Sequence, residues 1–231
     1  MTINKVFQFI LLPLLLLFLL IQFVFLSGCD SNSIIAPPSD EDNFSMSVYS
    51  TPDTTDGFNI LELDSAKILI KDIKLNVASS GESNFKTGPF VFYLNLASSV
   101  NTIDTGYIPA GSYDKIKFEI HKPNANDTIP DPEFRDSLGT YSVIAKGRYN
   151  GIAFTYKSKK SAHQILDFPE ALVITSTGKT NVTLSVNPYT WFIESGIYLD
   201  PNLTANENDI DNNIKDSFKA FKDDDKNGIP D

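Results

Sequence analysis

From Phe44 onward, short runs of alternating apolar and polar positions are broken by Gly, Pro, Asn and Asp, the pattern of antiparallel strands with one buried and one wet face. Tyr113 to His121 is the cleanest run. Ile116, Phe118 and Ile120 alternate there with Lys115, Lys117, Glu119 and His121, which places His121 on the wet face. Phe90, Phe92, Leu94 and Leu96 form a second set, and Val182, Leu184 and Val186 a third. Between Ile68 and Val77 the apolar positions change phase, from 68 and 70 to 73, 75 and 77, so a bulge is expected near Lys71-Asp72. Tyr141–Tyr149 and Ile152–Lys157 flank Asn150-Gly151, a pair suited to a two-residue type I′ hairpin turn. About eight to ten strands at this spacing predict two sheets packed face to face, a mostly β, antiparallel β-sandwich.

After Pro188 the period changes. Ile210, Ile214, Phe218 and Phe221 recur at spacings of four, four and three, predicting one face of a short C-terminal helix of about 12 residues, with Asp209 and Asp211 near its N-terminus. Directly after it, Asp223, Asp225, Asn227 and Asp231 occupy positions 1, 3, 5 and 9 of a calcium-loop pattern. Gly228 falls at the sharp-turn position and Ile229 supplies a backbone carbonyl. This segment resembles the Asp-rich loops of thrombospondin type 3 repeats and dockerins, which implies Ca2+ binding, and its few ligands imply that the binding is weak. It departs from a full loop because the bidentate acid of position 12 is missing. The alternative is a solvated acidic tail.

At the other end, Val6 to Leu26 carries no charge, follows Lys5 and closes on Leu26-Ser27-Gly28-Cys29, which contains the only cysteine of the chain. This layout is that of a cleaved secretory signal, and its last four residues resemble the lipobox of bacterial lipoproteins. The resemblance implies acylation of Cys29 with palmitate-type chains, cleavage after residue 28, and a protein anchored by lipid to a bacterial membrane, at the outer membrane or cell surface. An uncleaved spanning helix is the alternative, since about 20 apolar residues suffice to cross a bilayer. Residues 30 to 43, with Pro37-Pro38 and no periodicity, read as a flexible tether. The expected organisation is thus signal peptide 1–28, lipidated tether 29–43, β-sandwich 44–192, and helix with acidic loop 193–231.

Charge narrows the function. The chain carries 19 basic and 29 acidic residues, a net charge of −10, and loss of the signal with Lys5 takes it to −11. No basic patch stands out, which argues against nucleic acid as a partner. With Cys29 taken by lipid no disulfide is available, so stability rests on an apolar core.

The block from Ile108 through Pro109-Ala110-Gly111-Ser112-Tyr113 to Phe118, with Ser65–Ile70 and Gly178–Leu184, resembles a widespread group of bacterial lipoprotein β-sandwich domains. That resemblance implies an Ig-like or prealbumin-like sandwich and a glycan or surface protein as partner. It brings no catalytic residues with it. No Gly-x-Ser-x-Gly, His-Glu-x-x-His or phosphate loop occurs, so an enzyme is not expected. His121 and His163 read as surface histidines, and Trp191, the single tryptophan, as a cap on the core. Asp-Ser/Thr triplets at Asp53, Asp64, Asp127 and Asp136 resemble a bacterial O-glycosylation signal. The expected role is a non-catalytic binding or structural module. A glycan-acting hydrolase and an accessory subunit of a surface complex are the alternatives.

Overall fold

The structure is a computed structural model and describes residues 41–51, 60–79 and 81–231. These residues all fall within one compact unit. In chain order the strands are β1 (Phe44–Ser50), β2 (Leu61–Val77), β3 (Glu82–Leu94), β4 (Val100–Gly106), β5 (Gly111–Ile120), the short pair β6 (Arg135–Asp136) and β7 (Gly139–Thr140), β8 (Val143–Tyr149), β9 (Ile152–Ser158), β10 (Ala162–Ile174), β11 (Thr180–Val186), a second short pair β12 (Ile193–Glu194) and β13 (Ile197–Tyr198), and β14 (Phe218–Lys222). A single α-helix among the described residues, α1 (Glu207–Asp216), precedes β14.

Two sheets face each other, as the alternation predicts. The smaller has the order β14-β11-β1-β4, with β1 and β11 parallel and the other ladders antiparallel. The larger is built around β2, the longest strand. β3 runs along one edge of β2, while the opposite edge carries β8 over Leu61–Ile68 and β5 over Ile70–Val77. Leu69 is the fork: its N–H donates to Ser142 O at 2.8 Å and its carbonyl accepts from His121 N at 2.8 Å. β9 extends the β8 arm and β10 the β5 arm.

Local signals land where the sequence places them. Asp72 takes φ 52, and the register of β2 slips between Lys71 and Ile73, which is the expected bulge. Asn150 and Gly151 both hold positive φ, at 49 and 76, and join β8 to β9 in a tight hairpin. Leu96, by contrast, lies past the end of β3 in the turn to β4.

The core fills the space between the sheets. Met46, Ile68, Ile70, Ile73, Leu75, Ile116, Val182 and Leu184 are fully buried in it, and each such side chain contributes about 1.5–3 kcal/mol through burial. Trp191 is fully buried in a 3-10 turn, Pro188–Phe192, and its Nε1 donates to Ser217 Oγ at 2.9 Å, so it does cap the core. A second, smaller core of Leu69, Phe134, Tyr141 and Ile144 lies outside the larger sheet, beneath the excursion that joins β5 to β8. That excursion is an acidic strap. Its Asp131 and Glu133 hold Lys67, both at 2.5 Å, Glu133 also holds Lys146 at 2.5 Å, and Asp136 holds Lys157 at 2.7 Å.

Two expectations are corrected. The helix stops at Asp216, with Ile210 and Ile214 buried, and Phe218 and Phe221 belong to β14 instead. Their spacing fits a helix, but the free edge of β11 offers a full ladder, and the strand pairs Phe218 with Val186 and Phe221 with Thr183. The two phenylalanines then face opposite sides of the sheet, Phe218 packing edge-on against Phe118 with ring centres 5.2 Å apart. Residues 193–231 are thereby woven into the sandwich. His121, expected on the wet face, is 7% exposed, because β5 ends at Ile120 and the strap turns back over it.

Candidate metal site

The alternation of β1 and β11 puts Ser45, Ser47, Asn181 and Thr183 on the face of the smaller sheet that points away from the core. Such positions ordinarily meet water. Here Ser47, Asn181 and Thr183 are buried, and the acidic loop after β14 covers them.

A chain of side-chain hydrogen bonds links sheet and loop. The Ser45 and Ser47 hydroxyls donate to Asn181 Oδ1 at 2.8 and 3.0 Å. Asn181 Nδ2 donates to the Asp223 carbonyl at 2.8 Å and to Thr183 Oγ1 at 3.2 Å, and the Thr183 hydroxyl donates to Asp223 Oδ2 at 2.6 Å. Asp223 is inaccessible to solvent. Its carboxylate also accepts from the backbone N–H groups of Asn227 at 2.9 Å and Gly228 at 3.1 Å. A buried carboxylate is tolerated only when its oxygens are satisfied, and these neutral donors do that without neutralising its charge.

The loop then curls so that carboxylate oxygens of Asp223, Asp225 and Asp231 all lie within 4.8 Å of one another. Lys226 takes φ 56 and Gly228 φ 83 to make the turn, and Gly228 lies against the Tyr49 ring of β1. The Asp231 amide donates to Lys222 O at 3.1 Å, which returns the end of the loop to the end of β14. Three carboxylates at this spacing can hold a metal ion, and an all-oxygen set suits a hard cation.

Of the five positions singled out in the sequence, the structure brings together the side chains of Asp223, Asp225 and Asp231. Asn227 turns its side chain to the loop itself: Nδ2 donates to Asp225 Oδ2 at 2.8 Å, and Oδ1 accepts from the Ile229 amide at 2.7 Å. The Ile229 side chain is exposed. Lys222, which the loop pattern does not include, reaches into the cluster. Its ammonium lies 2.6 Å from Asp224 Oδ2 and 2.8 Å from Asp231 Oδ2. Those two partners push the Lys222 ammonium above its ordinary value, and Lys222 in turn holds Asp231 below the usual carboxylate range.

No family model matches the chain, and no curated protein is similar to it. Among solved structures, MbnP from Methylosinus trichosporium is similar over 71% of this chain and 80% of that chain, with 11% identity and a TM-score of 0.41.

Cys29 and Asp53 lie outside the described residues. Asp136 is engaged with Lys157 and with Tyr141, whose hydroxyl donates to it at 2.7 Å, and Asp127 closes a turn with Asn124. Two residues outside the sequence motifs also matter. Asn43 is buried where β1 begins; it donates to the carbonyls of Ile108 and Thr175 at 2.8 and 3.0 Å and accepts from the Ile108 amide at 2.8 Å. Thr183 reads as an ordinary wet-face strand residue, and only the covering loop makes it a ligand of Asp223.

Proposed function

We propose that this chain is a lipid-anchored protein of a bacterial cell envelope whose β-sandwich serves as a non-catalytic binding or structural module, and that its C-terminal loop takes a calcium ion. The convergence of Asp223, Asp225 and Asp231 above a buried polar ladder is the observation that carries the calcium reading. Three carboxylates with backbone carbonyls and water to complete the shell favour binding at about 10⁻⁴ to 10⁻³ M, the range of extracellular calcium modules. The anchor rests on Cys29 at the end of its apolar run, and one acylated cysteine bearing more than one chain provides stable attachment. Glycans or a surface protein are the partners this reading favours.

Calorimetric titration of residues 30–231 with calcium tests the metal. Millimolar or tighter binding that Asp225→Asn weakens and Asp223→Ala/Asp225→Ala abolishes supports the reading, and no heat from the unaltered protein overturns it. Labelling of the full chain with palmitate, lost in Cys29→Ser, tests the anchor. Saturable binding on a glycan array without turnover supports the module, whereas turnover of a glycan substrate favours the hydrolase.

A further inference from the structure

At the fork in the larger sheet, the side chain that closes β5 is held between two carboxylates. His121 Nδ1 lies 3.1 Å from Glu119 Oε1, and Nε2 lies 3.6 Å from Asp127 Oδ2. A neutral imidazole carries one ring proton, so either tautomer turns a lone pair toward one of these carboxylates. The imidazolium donates to Glu119 and faces Asp127 across 3.6 Å as an ion pair rather than a hydrogen bond.

Glu119 is on the same strand as His121, but Asp127 belongs to the strap. Asp127 Oδ2 accepts from the Asn124 amide at 2.8 Å and from Asn124 Nδ2 at 3.2 Å, and the Asp127 amide donates to Asn124 O at 3.2 Å. Arg135 braces this turn from below, donating to the carbonyls of Asn124 and Asp127 at 2.8 and 2.9 Å. Across the sheet, Glu119 is paired in register with Lys71 on β2 and with His163 on β10, which are the ionisable residues that flank it. The next residue, Lys122, is fixed through its amide, which donates to Ser161 Oγ at 2.9 Å.

We propose that His121 is a proton-operated latch. In its charged form it clips the Asn124–Asp127 turn of the strap to the end of β5, and in its neutral form it lets that turn go. The rest of the strap stays in place in both forms, because Phe134 and Tyr141 anchor it in the second core. The device makes the start of the strap responsive to acidity, an input that an imidazole registers by changing charge.

Residue-resolved hydrogen exchange at pH 5 and pH 8, expressed as protection factors, tests the latch. Protection of the Asn124 and Asp127 amides is expected to fall roughly two- to fivefold on going to pH 8, the size of one partly exposed ion pair. In His121→Gln it is expected to be low at both pH values while Trp191 fluorescence reports an intact core. His163 is paired with the same Glu119 across the sheet, so His163→Gln is the control and must keep the change. Should His121→Gln fail to fold, Asp127→Asn on the strap removes the same contact and must abolish the pH dependence. An unchanged pH dependence in His121→Gln or Asp127→Asn, its loss in His163→Gln, or no dependence in the unaltered protein overturns the proposal.

Discussion

Thr183 donates its hydroxyl proton to Asp223 at 2.6 Å, and through that bond the outer face of the smaller sheet holds a carboxylate that water cannot reach. Removing the donor leaves Asp223 with two backbone partners and an unmet lone pair. Thr183→Val, nearly the same in volume, is therefore expected to lower unfolding stability by about 1–3 kcal/mol. Denaturant unfolding followed by Trp191 emission measures it, and a change under about 0.3 kcal/mol would show that loop and sheet are not coupled.

Lys222 competes with any metal for Asp231. Its ammonium sits 2.8 Å from the Asp231 carboxylate, so Lys222→Met is expected to tighten calcium binding, roughly threefold for a solvent-exposed contact. Calorimetry reads this directly. Weaker binding in the variant would mean that Lys222 shapes the loop rather than blocking it.

Asp136 and Tyr141 titrate as a pair far from neutrality. The Lys157 ammonium, with the Tyr141 hydroxyl and the Leu138 amide, holds Asp136 down to about 2, while burial, reinforced by Asp136, pushes Tyr141 up to about 12. The depressed carboxylate adds stability that is present above its unfolded value of about 3.9 and is lost as pH falls toward 2. The raised phenol adds stability that is present below about 10 and is lost as pH rises toward 12. Spectrophotometric titration of tyrosine ionisation is expected to show the Tyr141 transition moving to lower pH in Asp136→Asn. A transition that stays in place would assign the shift to burial alone.

Gly147 marks a close approach of strands. A Cβ there would fall on the carbonyl of Glu62, beside the register slip between Leu63 and Ser65. Gly147→Ala is expected to cost about 3 kcal/mol, the upper part of the range for overpacking. A thermal midpoint equal to that of the parent would show that β2 can shift to make room.

Local chemistry is what can be read from the chain. Asn150-Gly151 and the Lys71-Asp72 phase change carry their geometry within two residues, and both appear in the structure as expected. The three aspartates of the loop are likewise close in sequence and meet in space. Long-range decisions are not legible in this way. Phe218 and Phe221 follow a helical period, yet an edge left open by a strand about 35 residues earlier claims them. The partner exchange at Leu69 depends on where β5 stops and β8 starts, and no residue near Leu69 encodes it. Thr183 and Asn181 obey strand alternation faithfully, but whether the polar face of a strand meets water depends on what lies over it.

The placement of β1 has a mechanical meaning. Chain entering the body at Asn43 passes straight into a strand flanked on both sides, by β11 in a parallel ladder and by β4 in an antiparallel one. Inter-strand hydrogen bonds lie across the strand direction, so a pull along β1 loads both ladders in shear, and they must fail together instead of opening one bond at a time. Asn43, bonded to Ile108 and Thr175 at the point of entry, takes the first of that load and spreads it to the segments ahead of β5 and β11. Tension applied at this end meets its greatest resistance where β1 begins, because two ladders share the load there.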